Sequence, residues 1–228
     1  MFAQLFLFLA IFAFNFLGAN AFDTSTTAPE LFLEPRLAAE YKQAHKHDAA
    51  SDPSLRIPFA YPLFSQCDAA WGGDLMNTKT VCQVGCLMSS TSMGLSGSGI
   101  LIPSPDVATI NASDPHTLNQ WLRLNGGYDG SNNFIESALP PMNAARISWP
   151  PDAMHKTNDL PFATIAQYLD KGRVVIANVH DGHHFVLLTG YSTTDADTFA
   201  VNDPGYDVST YSYSKDVVGY RIFDMVRE

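Results

Sequence analysis

The chain has 228 residues, 46% of them hydrophobic, and a formal net charge of -10 at pH 7. Its length suits about one domain with a hydrophobic core that needs no structural metal. The 13 Lys and Arg residues are scattered and outnumbered by 23 Asp and Glu residues. This composition argues against nucleic acid as a partner.

Residues 1–21 are predicted to be a secretory signal peptide. They are almost entirely apolar and end in Ala19-Asn20-Ala21, a pattern that suits signal peptidase. The start lacks the usual basic residues, which leaves an uncleaved anchor as the alternative, but Asn15 and the small residues after the run favour cleavage after Ala21. We therefore expect a secreted or vacuolar protein with no membrane contact after signal removal.

The mature chain is predicted to have two parts. Residues 22–56 are polar and mixed, and they form an N-terminal extension or a propeptide. Residues 57–228 form the packed domain. Asn111-Ala112-Ser113 is a glycosylation sequon, so Asn111 is a candidate glycosylation site in an exported protein.

The first half of the domain is predicted to be mostly helical. Asp114 followed by Pro115 is a typical N-cap and first helical residue. Prolines enclose one short strand near residues 145–148. The predicted helices cover residues 86–95, 115–122 and 134–139.

The last third of the chain predicts a sheet. A helix over residues 162–169 precedes it, and Asp181-Gly182 marks a hairpin turn between the first two strands. Because helices come first and antiparallel strands follow, the sequence predicts an α+β domain. The predicted strands cover residues 174–179, 184–191, 198–202 and one further stretch within 211–223.

The three cysteines predict one disulfide and one free thiol. Cys67 and Cys82 flank a glycine-containing loop, and a disulfide between them would stabilise the fold by about 3 kcal/mol. A Cys82–Cys86 pair is the less favoured alternative, because it would break helical geometry at Gly85. Cys86 would then be the free thiol at a helix N-terminus, where the helix dipole favours the thiolate. The simpler alternative is a buried core cysteine.

His184 is the candidate general base. It begins the apolar strand FVLL, which would hold and partly desolvate the imidazole. His183 would point to the opposite side of the sheet, so only one of the two can face a thiol. A zinc site formed by His180, His183 and His184 is a less favoured alternative to the general base, since the spacing matches no standard zinc site.

Two further residues suit the same chemistry. Asp203 follows the next strand and could accept a hydrogen bond from the second nitrogen of the histidine, although Asp-Pro-Gly is also a common turn. Gln66 could donate to a developing oxyanion together with the backbone N–H of Cys86.

Taken in order, these residues resemble the papain-like cysteine peptidases, and specifically the branch related to bacteriocin leader peptidases (cysteine peptidase family thirty-nine). The matching segments are SQCDAAW, VGCLMSSTSM, LNQWLRLNGGY, GRVVIANV, GHHFVLLTGY and AVNDPG. The resemblance covers most of residues 57–228 and implies a papain-like fold, with a nucleophile helix packed on a C-terminal antiparallel sheet.

The resemblance also implies roles for residues. Cys86 is the nucleophile, His184 its base, Asp203 the orienting carboxylate and Gln66 an oxyanion-hole donor. The cysteine beside Gln66 departs from the family pattern, and no transporter segments accompany the domain, so the leader-peptide substrate is not carried over.

The sequence therefore predicts a thiol hydrolase that acts on a peptide or amide substrate without metal or cofactor. Two alternatives stay open: an acyltransferase that uses the same thiol, and a catalytically silent binding domain of the same fold.

Overall fold

The computed structural model describes residues 52–104 and 110–227. The predicted signal peptide and nearly all of the predicted extension at residues 22–56 lie outside this part of the chain. Among the described residues, no helix has the length and apolar character needed to cross a membrane.

A single antiparallel sheet forms the C-terminal half of the domain. Its strands are β1 Leu55–Arg56, β4 Ile147–Ser148, β5 Met154–His155, β6 Val174–Val179, β7 His184–Ser192, β8 Thr198–Asn202, β9 Thr210–Ser212 and β10 Gly219–Met225. The main path of the sheet runs β4-β10-β6-β7-β8-β9, while β1 pairs with β7 and β5 pairs with β10. The last strand, β10, therefore lies between β4 and β6, on the side of β6 that faces away from β7.

Four α-helices accompany the sheet within the described residues: α1 Val81–Val84, α2 Cys86–Gly97, α3 Pro115–Leu124 and α4 Phe162–Asp170. The Asp114 side chain caps α3 by accepting from the backbone N–H of Thr117, as the sequence predicted. A separate two-stranded ribbon pairs β2, Ile102–Pro103, with β3, Ile110–Asn111.

The sheet separates two hydrophobic cores. Along β6, Val174 and Ile176 pack into the core that contains α2 and α3, whereas Val175 and Ala177 pack into the core that contains α4. This alternation follows from the period of two in a strand. Residues on both faces are apolar, which explains why the first four residues of β6 are all hydrophobic.

Close contact fixes α2 against the sheet. A Cβ atom at Gly94 would lie 2.6 Å from Cγ1 of Val174, so the glycine lets the helix approach β6 directly. Ser90 of α2 also donates to the carbonyl of Phe185 in β7 over 3.3 Å. The helix that begins at Cys86 is therefore anchored on the strand that begins at His184.

The predicted α+β class and the predicted arrangement, helices packed on a C-terminal antiparallel sheet, are confirmed. The predicted helix at residues 134–139 is reduced to a 3-10 turn at Glu136–Ala138. The single strand expected within residues 211–223 is two strands, β9 and β10, separated by a turn. The short elements α1 and β1 were not predicted.

Candidate active site

Cys86 is the first residue of α2 and is the free cysteine of the chain, with its side chain only partly buried. Gly85 joins α1 to α2, and its Cα is closely surrounded by atoms of Val81. A Cβ atom there would lie 2.5 Å from the carbonyl oxygen of Val81, so only glycine fits at this junction. The first backbone N–H groups of a helix lack intrahelical acceptors. The N–H of Cys86, which belongs to the same residue as the sulfur, is therefore available to another acceptor.

Cys67 and Cys82 form a disulfide across 15 residues of sequence. The bond joins the segment after Gln66 to α1, the short helix that directly precedes Cys86. A capping box between Thr80 and Gln83 holds the start of α1. The crosslink therefore restrains the segment that leads into the candidate nucleophile.

His184 is the first residue of β7 and is 6% exposed. Its Nε2 lies 2.7 Å from Oδ1 of Asp203, whose side chain is fully buried. The Cys86 side chain also interacts electrostatically with the His184 ring. Because Nε2 faces the carboxylate, Nδ1 is the ring nitrogen left for the sulfur.

The surroundings of His184 favour its charged form. Burial alone lowers the pKa of this imidazole, but the hydrogen bonds to Asp203 and Cys86 and the charges of both partners raise the pKa to about 9. At neutral pH the ring is therefore an imidazolium that can donate a proton at each nitrogen.

Asp203 follows β8 and accepts several hydrogen bonds. Its Oδ1 accepts from the backbone N–H groups of Gly205 and Tyr206 at 2.8 and 2.9 Å, in addition to His184. Burial alone raises the pKa of Asp203, but the hydrogen bonds from His184 and the Gly205 N–H lower it below its ordinary value. The carboxylate is therefore ionised at neutral pH.

Gln66 bridges the two halves of the site. Its backbone N–H donates to the carbonyl of Pro204, and its side-chain Nε2 donates to the carbonyl of Cys82, each over 2.8 Å. The Oε1 atom is buried without a hydrogen-bond partner. One of the two Nε2 hydrogens is used by Cys82, so the other is left for a further acceptor.

The remaining predicted residues lie apart from this cluster. His183 is exposed and precedes β7, so it is His184 that contacts the thiol. Within the described residues, no group of three or more His, Cys, Asp or Glu side chains is arranged to hold a metal ion. Asn111 is partly exposed at the end of β3, and Ser113 of its sequon is buried with its hydroxyl 3.0 Å from that of Ser92.

The sequence reasoning missed two polar neighbours of the site. The Tyr211 hydroxyl donates to Oδ2 of Asp203 over 2.8 Å, and Nε2 of His180 lies 3.2 Å from that hydroxyl. The sequence indicates His180 only as a member of the less favoured zinc site. Nothing in the local sequence distinguishes Tyr211 from the other eight tyrosines.

Comparison with protein families gave one match. The family model described as Peptidase_C39 like family matches residues 59–222, well over half of the chain. A search of curated proteins and a search of solved structures each gave no significant match. The family match agrees with the resemblance drawn from the segments around Cys86, His184 and Asp203. The chain therefore belongs to the Peptidase_C39 like family.

Proposed function

We propose that the protein is a cysteine peptidase in which Cys86 is the nucleophile, His184 the acid–base partner and Asp203 the orienting carboxylate. One observation carries the proposal: the buried His184 ring is hydrogen-bonded to the Asp203 carboxylate and at the same time interacts with the Cys86 side chain. A thiol and an imidazole in this arrangement are the equipment for nucleophilic acyl transfer. Membership of a peptidase family supports a peptide substrate.

The reaction follows from the positions of the groups. The attack starts from an ion pair in which the proton of Cys86 is on His184: the thiolate Sγ attacks the carbonyl carbon, and the pair of electrons of the C=O bond moves to its oxygen. As the tetrahedral intermediate collapses, the C–N bond breaks, His184 gives its proton to the leaving amine and an acyl-enzyme remains. Water then attacks the thioester while His184 accepts a proton from it, and the C–S bond breaks, which releases the acid and restores the ion pair.

Gln66 is proposed to stabilise the oxyanion of the tetrahedral intermediate. Its second Nε2 hydrogen and the backbone N–H of Cys86 would be the two donors to the oxyanion. Two contacts support this role. The backbone of Gln66 is bonded to Pro204, next to Asp203, and its side chain is bonded to Cys82, four residues before Cys86.

The test uses the single free thiol as its probe. The wild-type chain, the Cys86→Ala variant and wild-type protein treated with iodoacetamide are each incubated with a peptide library, and new termini are identified by mass spectrometry. We expect cleavage by the untreated wild type alone. Cleavage that persists in the Cys86→Ala variant would contradict the proposal, and so would a wild type that cleaves nothing. Products extended by an added amine would indicate acyl transfer instead of hydrolysis.

Export is a separate part of the proposal. The Cys67–Cys82 disulfide supports an oxidising compartment such as the secretory pathway. Protein recovered from the medium of expressing cells should begin at Phe22. Retention of the full-length chain inside the cell would contradict export by residues 1–21.

A further inference from the structure

We propose that Tyr211 is a positioning residue of this active site, which fixes the Asp203 carboxylate for His184, and that His180 in turn holds the Tyr211 hydroxyl. The inference rests on the proposed function, because it assigns Asp203 the orienting role. It extends the site by two residues that do not contact the reacting atoms.

The two oxygens of Asp203 have separate sets of partners. Oδ1 accepts from His184 and from the backbone N–H groups of Gly205 and Tyr206. Oδ2 accepts from the hydroxyl of Tyr211 over 2.8 Å. The loop and the histidine thus occupy one oxygen, and Tyr211 prevents the carboxylate from rotating by holding the other.

The number of hydrogens on the Tyr211 hydroxyl decides which group donates in its contact with His180. A tyrosine hydroxyl has a single hydrogen, and Tyr211 gives it to Asp203. The 3.2 Å contact between this hydroxyl and Nε2 of His180 therefore has His180 as the donor. The result is a continuous chain of donors from His180 through Tyr211 to Asp203, which meets the bond from His184 at the carboxylate.

His180 also packs against the catalytic histidine. The two imidazole rings are stacked with centroids 5.5 Å apart, and the ring of Tyr206 lies edge-on to both at 5.0 Å. The ring of His180 therefore supports the face of His184 as well as the hydroxyl of Tyr211.

The backbone is strained to place His180 there. His180 and Asp181 have φ angles of 52° and 54° in the turn between β6 and β7, a region that non-glycine residues rarely adopt. Such residues persist where the surrounding structure holds them in place, typically at functional sites. Here the strained turn directs the His180 ring toward Tyr211 and His184.

The electrostatics agree with this arrangement. Burial and the adjacent Asp203 carboxylate raise the pKa of Tyr211, so its hydroxyl keeps the hydrogen that it donates. Conversely, that hydrogen bond is one of the interactions that lower the pKa of Asp203. Removing the hydroxyl should therefore raise the pKa of Asp203.

The test compares Tyr211→Phe with a matched control, Tyr213→Phe. The Tyr213 hydroxyl donates to the carbonyl of Leu160 and belongs to no part of the site. The Asp203 carboxyl is titrated by carbon-13 NMR, and the rate of Cys86 alkylation by iodoacetamide is measured at pH 5 and pH 7. In Tyr211→Phe we expect the Asp203 titration midpoint to rise by up to about one pH unit, with a lower ratio of the pH 5 rate to the pH 7 rate. Tyr213→Phe should match the wild type.

Two variants distinguish the effect of the hydrogen bond that His180 donates from the effect of its ring stacking. His180→Gln keeps a side-chain N–H donor, whereas His180→Phe keeps a ring that can stack but has no donor. We expect His180→Phe to raise the Asp203 midpoint and His180→Gln to restore most of the wild-type behaviour.

An unchanged Asp203 midpoint in Tyr211→Phe would overturn the inference, and so would an equal change in Tyr213→Phe. The NMR titration requires no turnover. Failure of the inference is therefore distinguishable from absence of peptide cleavage, which would instead overturn the proposed function.

Discussion

His184 shows how one residue receives its properties from several parts of the chain. β7 buries the ring, the loop after β8 supplies the Asp203 carboxylate, and α2 supplies the thiol. Burial opposes the charge of the imidazolium, and the two partners more than offset that effect. The residue is thus held as a proton donor at neutral pH.

Gly205 controls the space beside the imidazole. A Cβ atom at this position would lie 2.9 Å from Cε1 of His184 and 3.5 Å from Oε1 of Gln66. We expect Gly205→Ala to displace the ring and to lower the rate of Cys86-dependent peptide cleavage by about tenfold to a hundredfold, since small misplacements of catalytic groups have large effects. Cleavage rates measured together with melting temperatures would check this.

Gly130→Ala is the matched control, because a Cβ atom there meets no atom within 4 Å. It should keep the wild-type rate. A Gly205→Ala protein with undiminished activity would show that the His184 ring is not confined as described.

The residues that the sequence could reveal are those with their own local signals. Gly-Cys at a helix start and His before an apolar strand are such signals, and they make Cys86 and His184 candidates from the sequence alone. Tyr211 has no comparable signal, because its importance arises only when the loop after Asp203 folds back. The strained conformation of His180 was equally hidden, since Asp181-Gly182 is typical of an ordinary hairpin turn.

The same distinction holds for helices and strands. β6 and β8 were predicted with their observed bounds, because β-branched runs between turn residues identify strands locally. The place of β10 between β4 and β6 depends on long-range pairing that periodicity does not encode. The four-residue helix α1 was too short to produce a periodic pattern.

The disulfide connects two elements that carry site residues. It ties the segment next to Gln66 to α1, and α1 leads directly into the helix of Cys86. We expect the double variant Cys67→Ala/Cys82→Ala to lose about 3 kcal/mol of unfolding free energy, because the open chain gains conformational entropy when it unfolds. Urea denaturation would measure the loss.

Cys86→Ala is the control for this experiment, since it removes a sulfur that is not in the disulfide. It should retain most of the stability of the wild type. A double variant as stable as the wild type would show that the crosslink does not restrain the unfolded chain.

At the scale of the whole molecule, two layers meet at the candidate active site. The helical layer contributes Cys86 and the sheet contributes His184, and the buried ion pair between Glu136 and Arg221 joins the layers elsewhere over 2.6 Å. The packing of Gly94 against Val174 holds the layers at short distance. The site is therefore a product of the complete fold and not of one segment.

This dependence predicts how global stability changes with pH. The folded state raises the pKa of His184 from 6.5 to about 9, so its stabilising contribution is complete below pH 6.5 and is lost as the pH rises through 9. Over this range the wild type should lose up to about 3 kcal/mol relative to His184→Gln. The lowered pKa of Asp203 acts in the opposite direction and only in acid, as the pH falls below the ordinary value of 3.8.

Urea denaturation of both proteins at pH 6 and pH 10 would measure the difference, in which the contributions of titrating groups that do not interact with His184 cancel. A difference in stability that stays constant between the two pH values would contradict the raised pKa of His184.

The chain holds one pair of sulfurs oxidised and keeps the third reduced, and the proposed function needs both conditions at once. A strong reductant that regenerates the Cys86 thiol will also open the Cys67–Cys82 crosslink, while an oxidant that preserves the crosslink threatens to convert the nucleophile to a sulfenic acid. Peptide cleavage should therefore peak at an intermediate concentration of reductant and decline on either side.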